Sequence, residues 1–280
     1  MNFYARVLSV VLTLGLGGCV VPLKTPPIQS VEAERPHVNF SELEEFAQAA
    51  AHAYDDAITI EKTYGANNVI VRDLSVSQTR YFIFLNHKNR TQTIAIRGTA
   101  NQQNTWVDLE AIKILDPKLK IFVHKGFQKA TRELLSDIGP FLQADYKTRI
   151  TGHSLGGAMA CLLMLHGAMD GWAIDQVLTF GQPKVTNEEG AQAPAGVPYF
   201  RIINGNDLVA QVPPSNVIYD FSGPYQHFGP EIVLGDGAWT YSTEHIPRDL
   251  VTNGNWKNVD LEHGTDHQMA NYLKRIEALQ

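Results

Sequence analysis

The sequence predicts an α/β fold, a mostly parallel central sheet flanked by helices, built as one domain over residues 41–280. Three observations carry this. Apolar stretches of strand length alternate with segments of period-3.6 patterning along most of the chain. No internal repeat and no compositional break follows residue 40. A chain of 280 residues, 44% hydrophobic and 19% charged, is also long and apolar enough to enclose a substantial core.

The N-terminal segment sets the expected compartment. Arg6 precedes an apolar run over residues 7–18, shorter than the roughly 20 residues a spanning helix needs and of the length of a signal-peptide core. The run closes as Leu16-Gly17-Gly18-Cys19, which resembles the lipobox of bacterial lipoproteins: small residues admit a peptidase to the backbone, and the thiol receives the lipid. That resemblance implies a signal peptide over 1–18, a lipidated Cys19 and a bilayer as partner. Val20, where an inner-membrane signal would carry Asp, points to the outer membrane of the cell envelope, with the domain periplasmic or surface-exposed. Pro22, Pro26, Pro27 and Pro36 among polar residues make 19–40 an extended tether.

The elements of the domain follow in order. Ser41 and Glu44 form a capping-box pattern ahead of Phe46, Ala49, Ala50 and Tyr54, one face of a first helix. Apolar stretches at 69–74, 80–86 and 92–97, separated by turn material, read as strands. A long helical pattern over 126–146 leads into a strand at 147–151. Then come a helix over 155–169 and strands at 176–180 and 199–203.

Composition excludes some functions. With 23 Lys and Arg against 29 Asp and Glu, and no basic run, nothing provides an electrostatic footprint for nucleic acid. The two cysteines, Cys19 and Cys161, lie in contexts too different for a disulfide framework.

The chemistry concentrates at Thr151-Gly152-His153-Ser154-Leu155-Gly156-Gly157-Ala158, between the 147–151 strand and the 155–169 helix. A Gly-x-Ser-x-Gly sequence in a strand-turn-helix context makes Ser154 the candidate nucleophile, because the flanking glycines remove Cβ atoms that would clash in so sharp a turn. A serine hydroxyl needs a base, and the base a carboxylate to fix its tautomer. Asp207 lies just past the 199–203 strand, in Asn204-Gly205-Asn206-Asp207. Three histidines follow it. His267, ahead of a C-terminal helical pattern, sits where a loop swings a ring over the sheet edge, whereas His227 lies close after Asp207 in Tyr225-Gln226-His227-Phe228 and reads as structural. His263 and His267 have the spacing of a metal pair, but no Glu follows the first and Gly264 weakens the aligning helix, so no metal is expected. His124 and His153 precede the acid and read as structural.

These residues resemble the lipase class 3 family, the fungal-type triacylglycerol lipases of α/β-hydrolase fold. The resemblance runs through Ile96-Arg97-Gly98-Thr99, Trp106, His124-Lys125-Gly126-Phe127, the Ser154 turn, Thr179-Phe180-Gly181-Gln182-Pro183, Asn206-Asp207-Leu208-Val209 and Asp266-His267. It implies that Thr99 and the backbone N–H of Leu155 form the oxyanion hole. It also implies a lid between Thr99 and His124, for which Trp106, Val107, Leu109, Ile112 and Ile114, interspersed with charges, offer an amphipathic helix. The expected activity is carboxylic ester hydrolysis, foremost of acylglycerols, by a Ser154-His267-Asp207 triad and an acyl-enzyme, without cofactor. A short-chain or aromatic-acid esterase and a phospholipase A1 share the chemistry, and a lipid-tethered binding protein without turnover is the rival of another class.

Overall fold

A computed structural model describes residues 36–98, 111–193, 196–215, 221–243 and 265–280. All belong to one unit, Pro36–Gln280. The expected lipidation site Cys19 lies outside the described residues, as do Thr99, Trp106, Val107 and Leu109 of the expected oxyanion hole and lid.

Two helices open the unit, α1 (Phe40–His52) and α2 (Ala57–Tyr64). The start of α1 departs from the expected capping box. Asn39, in extended backbone conformation, accepts from Glu42 N–H at 3.3 Å, so the helix begins two residues earlier than a Ser41 cap implies and Ser41 lies inside its first turn. Strands β1 (Val69–Asp73), β2 (Arg80–Asn86) and β3 (Thr91–Ile96) follow. A small two-stranded sheet, β4 (Lys113–Leu115) and β5 (Phe122–His124), comes next. It corrects the lid expectation at its C-terminal end: Ile112 directly precedes β4 and Ile114 lies within it, so neither is helical. The cause is tertiary pairing, Ile114 with Val123 and Leu115 with Phe122, which overrides an ambiguous apolar pattern.

Helix α3 (Lys125–Ile138) gives way to a 3-10 turn at Gly139–Phe141, well short of the expected 146. Pro140 has no N–H for the helical ladder, and the chain turns there toward β6 (Lys147–His153). The remaining elements are α4 (Leu155–Met169), β7 (Ile174–Phe180), α5 (Glu188–Ala191), β8 (Tyr199–Asn204), β9 (Glu231–Leu234), β10 (Trp239–Ser242) and α6 (Met269–Glu277).

The main sheet has eight strands in the order β1-β2-β3-β6-β7-β8-β9-β10. Strands β3, β6, β7, β8 and β9 run parallel, and β1, β2 and β10 complete antiparallel edges. Neighbouring residues of β7 feed opposite cores, as strand alternation requires. Val177 joins the cluster under α3 and α4 with Ile94, Ile150, Phe127, Leu134 and Leu163. Leu178 joins the cluster under α1 and α6 with Leu43, Phe46, Ile202, Tyr272 and Ile276. Helix α4 is apolar on all sides because Gly156 through Gly167 are all buried. Among the described residues no helix is long and apolar enough to cross a membrane.

Candidate active site

The site stands at the carboxyl ends of β6, β7 and β8, where parallel α/β sheets place their ligands. Strand β6 ends at His153 and α4 begins at Leu155, so Ser154 alone makes the reversal. It does so at φ 59° and ψ −128°, a conformation that costs an L-residue about 1–3 kcal/mol. The turn fits against β3 only because Gly156 lacks a side chain: a Cβ there would overlap the Ile96 carbonyl and lie 2.8 Å from the Arg97 carbonyl carbon. The Ser154 hydroxyl makes no capping bond to its own helix.

It is directed instead to His267. His267 Nε2 lies 3.1 Å from Ser154 Oγ, and its Nδ1 lies 2.8 and 3.0 Å from the two carboxylate oxygens of Asp207. All three residues are buried. Because a carboxylate only accepts, Nδ1 carries the proton and Nε2 is left as the acceptor facing the serine hydroxyl. His267 ends a 3-10 turn, Thr265–His267, tied to the β8 loop by Asn204 Nδ2 donating to Asp266 O at 2.8 Å and by Asn206 N–H donating to Asp266 Oδ2 at 2.9 Å.

Asp207 is held on every side. Its Oδ1 accepts from Val209 N–H at 2.9 Å and its Oδ2 from the Tyr272 hydroxyl at 2.6 Å. Burial pushes the carboxyl pKa up, but attraction to His267 and the hydrogen bonds from His267 and Tyr272 outweigh it and hold the group below the usual carboxylate range. Gly181, at the end of β7 with φ +55°, makes room: a Cβ there would lie 2.6 Å from Asp207 Oδ2 and 2.9 Å from His267 Cε1.

A second imidazole supports the first. His153 Nε2 donates to the backbone carbonyl of His267 at 2.7 Å, Nδ1 accepts from the Tyr54 hydroxyl at 2.8 Å, and the two rings lie 4.4 Å apart at 34°. Burial, with repulsion from His267, drives the His153 pKa down to about 3, so the ring is neutral. Burial likewise raises the Tyr54 phenol, which remains a donor.

Residues 93–217 match the model of the family described as lipase (class 3). Over these residues the chain is similar to the lipase class 3 family. Among relatives, the chain is 30% identical to a lipase of Rhizomucor miehei over 153 residues, covering 50% of this chain and 42% of that protein. It is 28% identical over 166 residues to the secreted mono- and diacylglycerol lipase 1 of Fusarium solani, covering 56% and 47%. The chain thus spans about half the length of the curated relatives it matches. The solved lipase II from Rhizopus niveus superposes with a TM-score of 0.64 at 24% identity, over 81% of this chain and 92% of that one, and the shared architecture is the α/β-hydrolase fold.

In this domain the structure brings Ser154, Asp207 and His267 together, as their order along the chain implies. Leu155 is the first residue of α4, at the helix end where backbone N–H groups lack intrahelical acceptors and the dipole favours negative charge. Ile112, expected in a lid, is 39% exposed. His227 is buried and donates through Nε2 to Ala210 O at 2.7 Å. His124 caps α3, its Nδ1 accepting from Gly126 N–H and Phe127 N–H at 3.1 and 3.4 Å. His263 lies outside the described residues, and among the described residues no cluster of three or more His, Cys, Asp or Glu could hold a metal. Sequence reasoning missed Tyr272 and Tyr54. The only local signal for Tyr272 is its place five residues after His267 in an amphipathic helix, and Tyr54 reads in the sequence as one more apolar residue on the face of the first helix.

Proposed function

We propose that this domain is a serine carboxylic ester hydrolase acting on acylglycerols. The observation that carries the reading is the continuous hydrogen-bonded chain from Ser154 Oγ through His267 to Asp207. His267 Nε2 takes the hydroxyl proton as Oγ attacks the ester carbonyl, and the imidazolium is stabilised by the buried Asp207 carboxylate. The proton passes to the leaving alcohol, an acyl-enzyme remains on Ser154, and water, activated by the same imidazole, releases the acid. The first turn of α4 supplies Leu155 N–H as one oxyanion donor, and Thr99 is proposed as the other from the family resemblance; losing one such donor typically lowers turnover about 100- to 1000-fold. The similarity to the lipase class 3 family and the mono- and diacylglycerol lipase name of one relative support an acylglycerol substrate over other esters. From the family resemblance, Trp106, Val107 and Leu109 are proposed as lid residues.

Residues 1–18 are proposed as a lipoprotein signal peptide, with Cys19 acylated and 19–40 tethering the domain to the cell envelope. Each buried methylene of the acyl chains contributes about 0.8 kcal/mol to anchoring. Cys19→Ser should abolish both lipid labelling and membrane fractionation, and unchanged fractionation would refute the anchor.

The activity is tested by hydrolysis of p-nitrophenyl esters from acetate to palmitate, with Ser154→Ala alongside and fluorophosphonate labelling of both. Ser154-dependent turnover that persists on long chains is expected. A sharp short-chain limit would replace the lipase reading with an esterase, and wild type that labels no better than Ser154→Ala would refute the hydrolase.

A further inference from the structure

Behind the acid-bearing turn lies a buried lysine that the chemistry above does not use. Lys184 follows β7 in Gly181-Gln182-Pro183-Lys184 and is 3% exposed. Its backbone N–H donates to Val212 O at 2.8 Å, and its Nζ donates to Gln211 O at 2.6 Å and Pro213 O at 3.2 Å. His227 donates to Ala210 O in the same stretch. Four consecutive carbonyls, 210 to 213, are therefore taken by two side chains and one amide from outside the segment. Within that segment the 3-10 turn Val209–Gln211 presents the Val209 N–H that holds Asp207 Oδ1 at 2.9 Å.

A lysine is a poor choice for this place if packing is all that is needed. Burying an ammonium is costly, and an apolar side chain would fill the volume without that cost. The neighbouring charges do not explain it either. Arg201 repels it while Glu231 attracts it, and Glu231 is already paired to Arg201 at 3.2 Å. Burial, with Arg201 adding, lowers the Lys184 pKa to about 7, yet the neutral amine still has two N–H groups, the number the two carbonyls require. What the position demands is a long donor.

We propose that Lys184 is a positioning residue for the triad: its three hydrogen bonds fix residues 211–213, and through them the turn whose Val209 amide holds the Asp207 carboxylate. The proposal rests on the hydrolase reading above.

The test compares wild type, Lys184→Met, Lys184→Arg, His227→Asn and Ser154→Ala on p-nitrophenyl butyrate, with active sites counted by end-point fluorophosphonate labelling and kcat/KM followed from pH 5 to 9. Lys184→Met should lose about 10- to 100-fold in kcat per active site with KM little changed, the scale of an ångström-level misplacement of a catalytic group. The acidic limb of kcat/KM should move to lower pH, because the His267 imidazolium loses part of its counter-charge while His153 and Tyr272 around it are unaltered. Lys184→Arg, which keeps paired donors, should restore the limb. A merely structural lysine would lower the number of active sites and leave the limb in place, and that result overturns the proposal. If Lys184→Met yields no folded protein, His227→Asn reads the same turn: a limb shifted in the same direction supports the assignment and an unshifted one overturns it. Wild type without Ser154-dependent turnover would instead refute the hydrolase reading itself.

Discussion

Acid should weaken this fold well before its carboxylates titrate, because two buried imidazoles must stay neutral. His153 has its pKa lowered to about 3 by burial and by His267, and His124 to about 4 by burial and by the Lys113 ammonium. Both have Nδ1 engaged as an acceptor, from the Tyr54 hydroxyl and from the first amides of α3, so protonation there would break existing bonds. In the unfolded chain both rings titrate near 6.5. Below that value the unfolded state binds more protons than the native state, so stability falls as pH falls and is complete only above about 6.5. Linkage gives a loss of about 1.9 kcal/mol for His153 and about 1.8 kcal/mol for His124 between pH 7 and pH 5. For a domain of this size each kcal/mol moves Tm by about 2–4 °C, so the pair lowers Tm by roughly 7–15 °C over that interval.

His124→Asn isolates one half of the effect. Asn is a strong N-cap and keeps an acceptor for Gly126 N–H, but it does not titrate. Differential scanning calorimetry at pH 5, 6 and 7 should show the variant losing about 1.8 kcal/mol less than wild type over the range. An identical pH dependence in wild type and variant would mean that His124 is not held neutral in the fold, and the argument from its burial would fail.

Three other substitutions probe the site and the core beside it. Gly181→Ala adds a Cβ at a positive φ against Asp207 and His267, and should lower turnover per active site by at least about 100-fold; near-normal turnover would show that the triad has slack there. Tyr272→Phe removes one of the donors to Asp207 in a space that already holds the ring, so kcat/KM should fall about tenfold, and steady-state kinetics showing no change would remove Tyr272 from the positioning network. Arg201→Met leaves the Glu231 carboxylate, 0% exposed, without its guanidinium and should cost about 3–5 kcal/mol by thermal unfolding. Replacing Glu231 by Leu in the same chain should recover most of that loss, and a double variant no more stable than the single would refute the pairing argument.

The elements legible in the sequence are those whose pattern is set by their own length of chain. Helix α4 has the bounds expected, because a fifteen-residue helix buried on all sides needs no partner to be recognised. Helix α3 overran its true end because its apolar spacing continues past Ile138, while Gly139-Pro140 stops the ladder. Helix α2 was not anticipated: Ile58, Thr59, Ile60 and Thr63 are β-branched, and it is Asp56 accepting from Thr59 N–H, with Ile60 fully buried, that makes the segment helical. Strands β4 and β5, three residues each, carry no period to read and exist only by pairing.

The site divides along the same line. Ser154 is announced within eight residues, since a one-residue reversal between strand and helix can be built from very few sequences. Asp207 and His267 follow from the order that a parallel sheet imposes: β6 delivers the serine, β8 beyond β7 delivers the acid, and the histidine arrives from the 3-10 turn just ahead of the last helix. The residues that hold these three in place are not announced, because each acts across a fold already formed. Tyr272 reaches Asp207 over 65 residues and Tyr54 reaches His153 over 99. Tyr272 is also a core side chain, packed with Phe46 and Phe180 between α1 and the sheet. The same ring therefore seats the helix that directly follows His267 and donates to the acid that orients it. Packing of the first helix against the last is in that sense part of the geometry of the site, and a loosened α1 should be felt at His267.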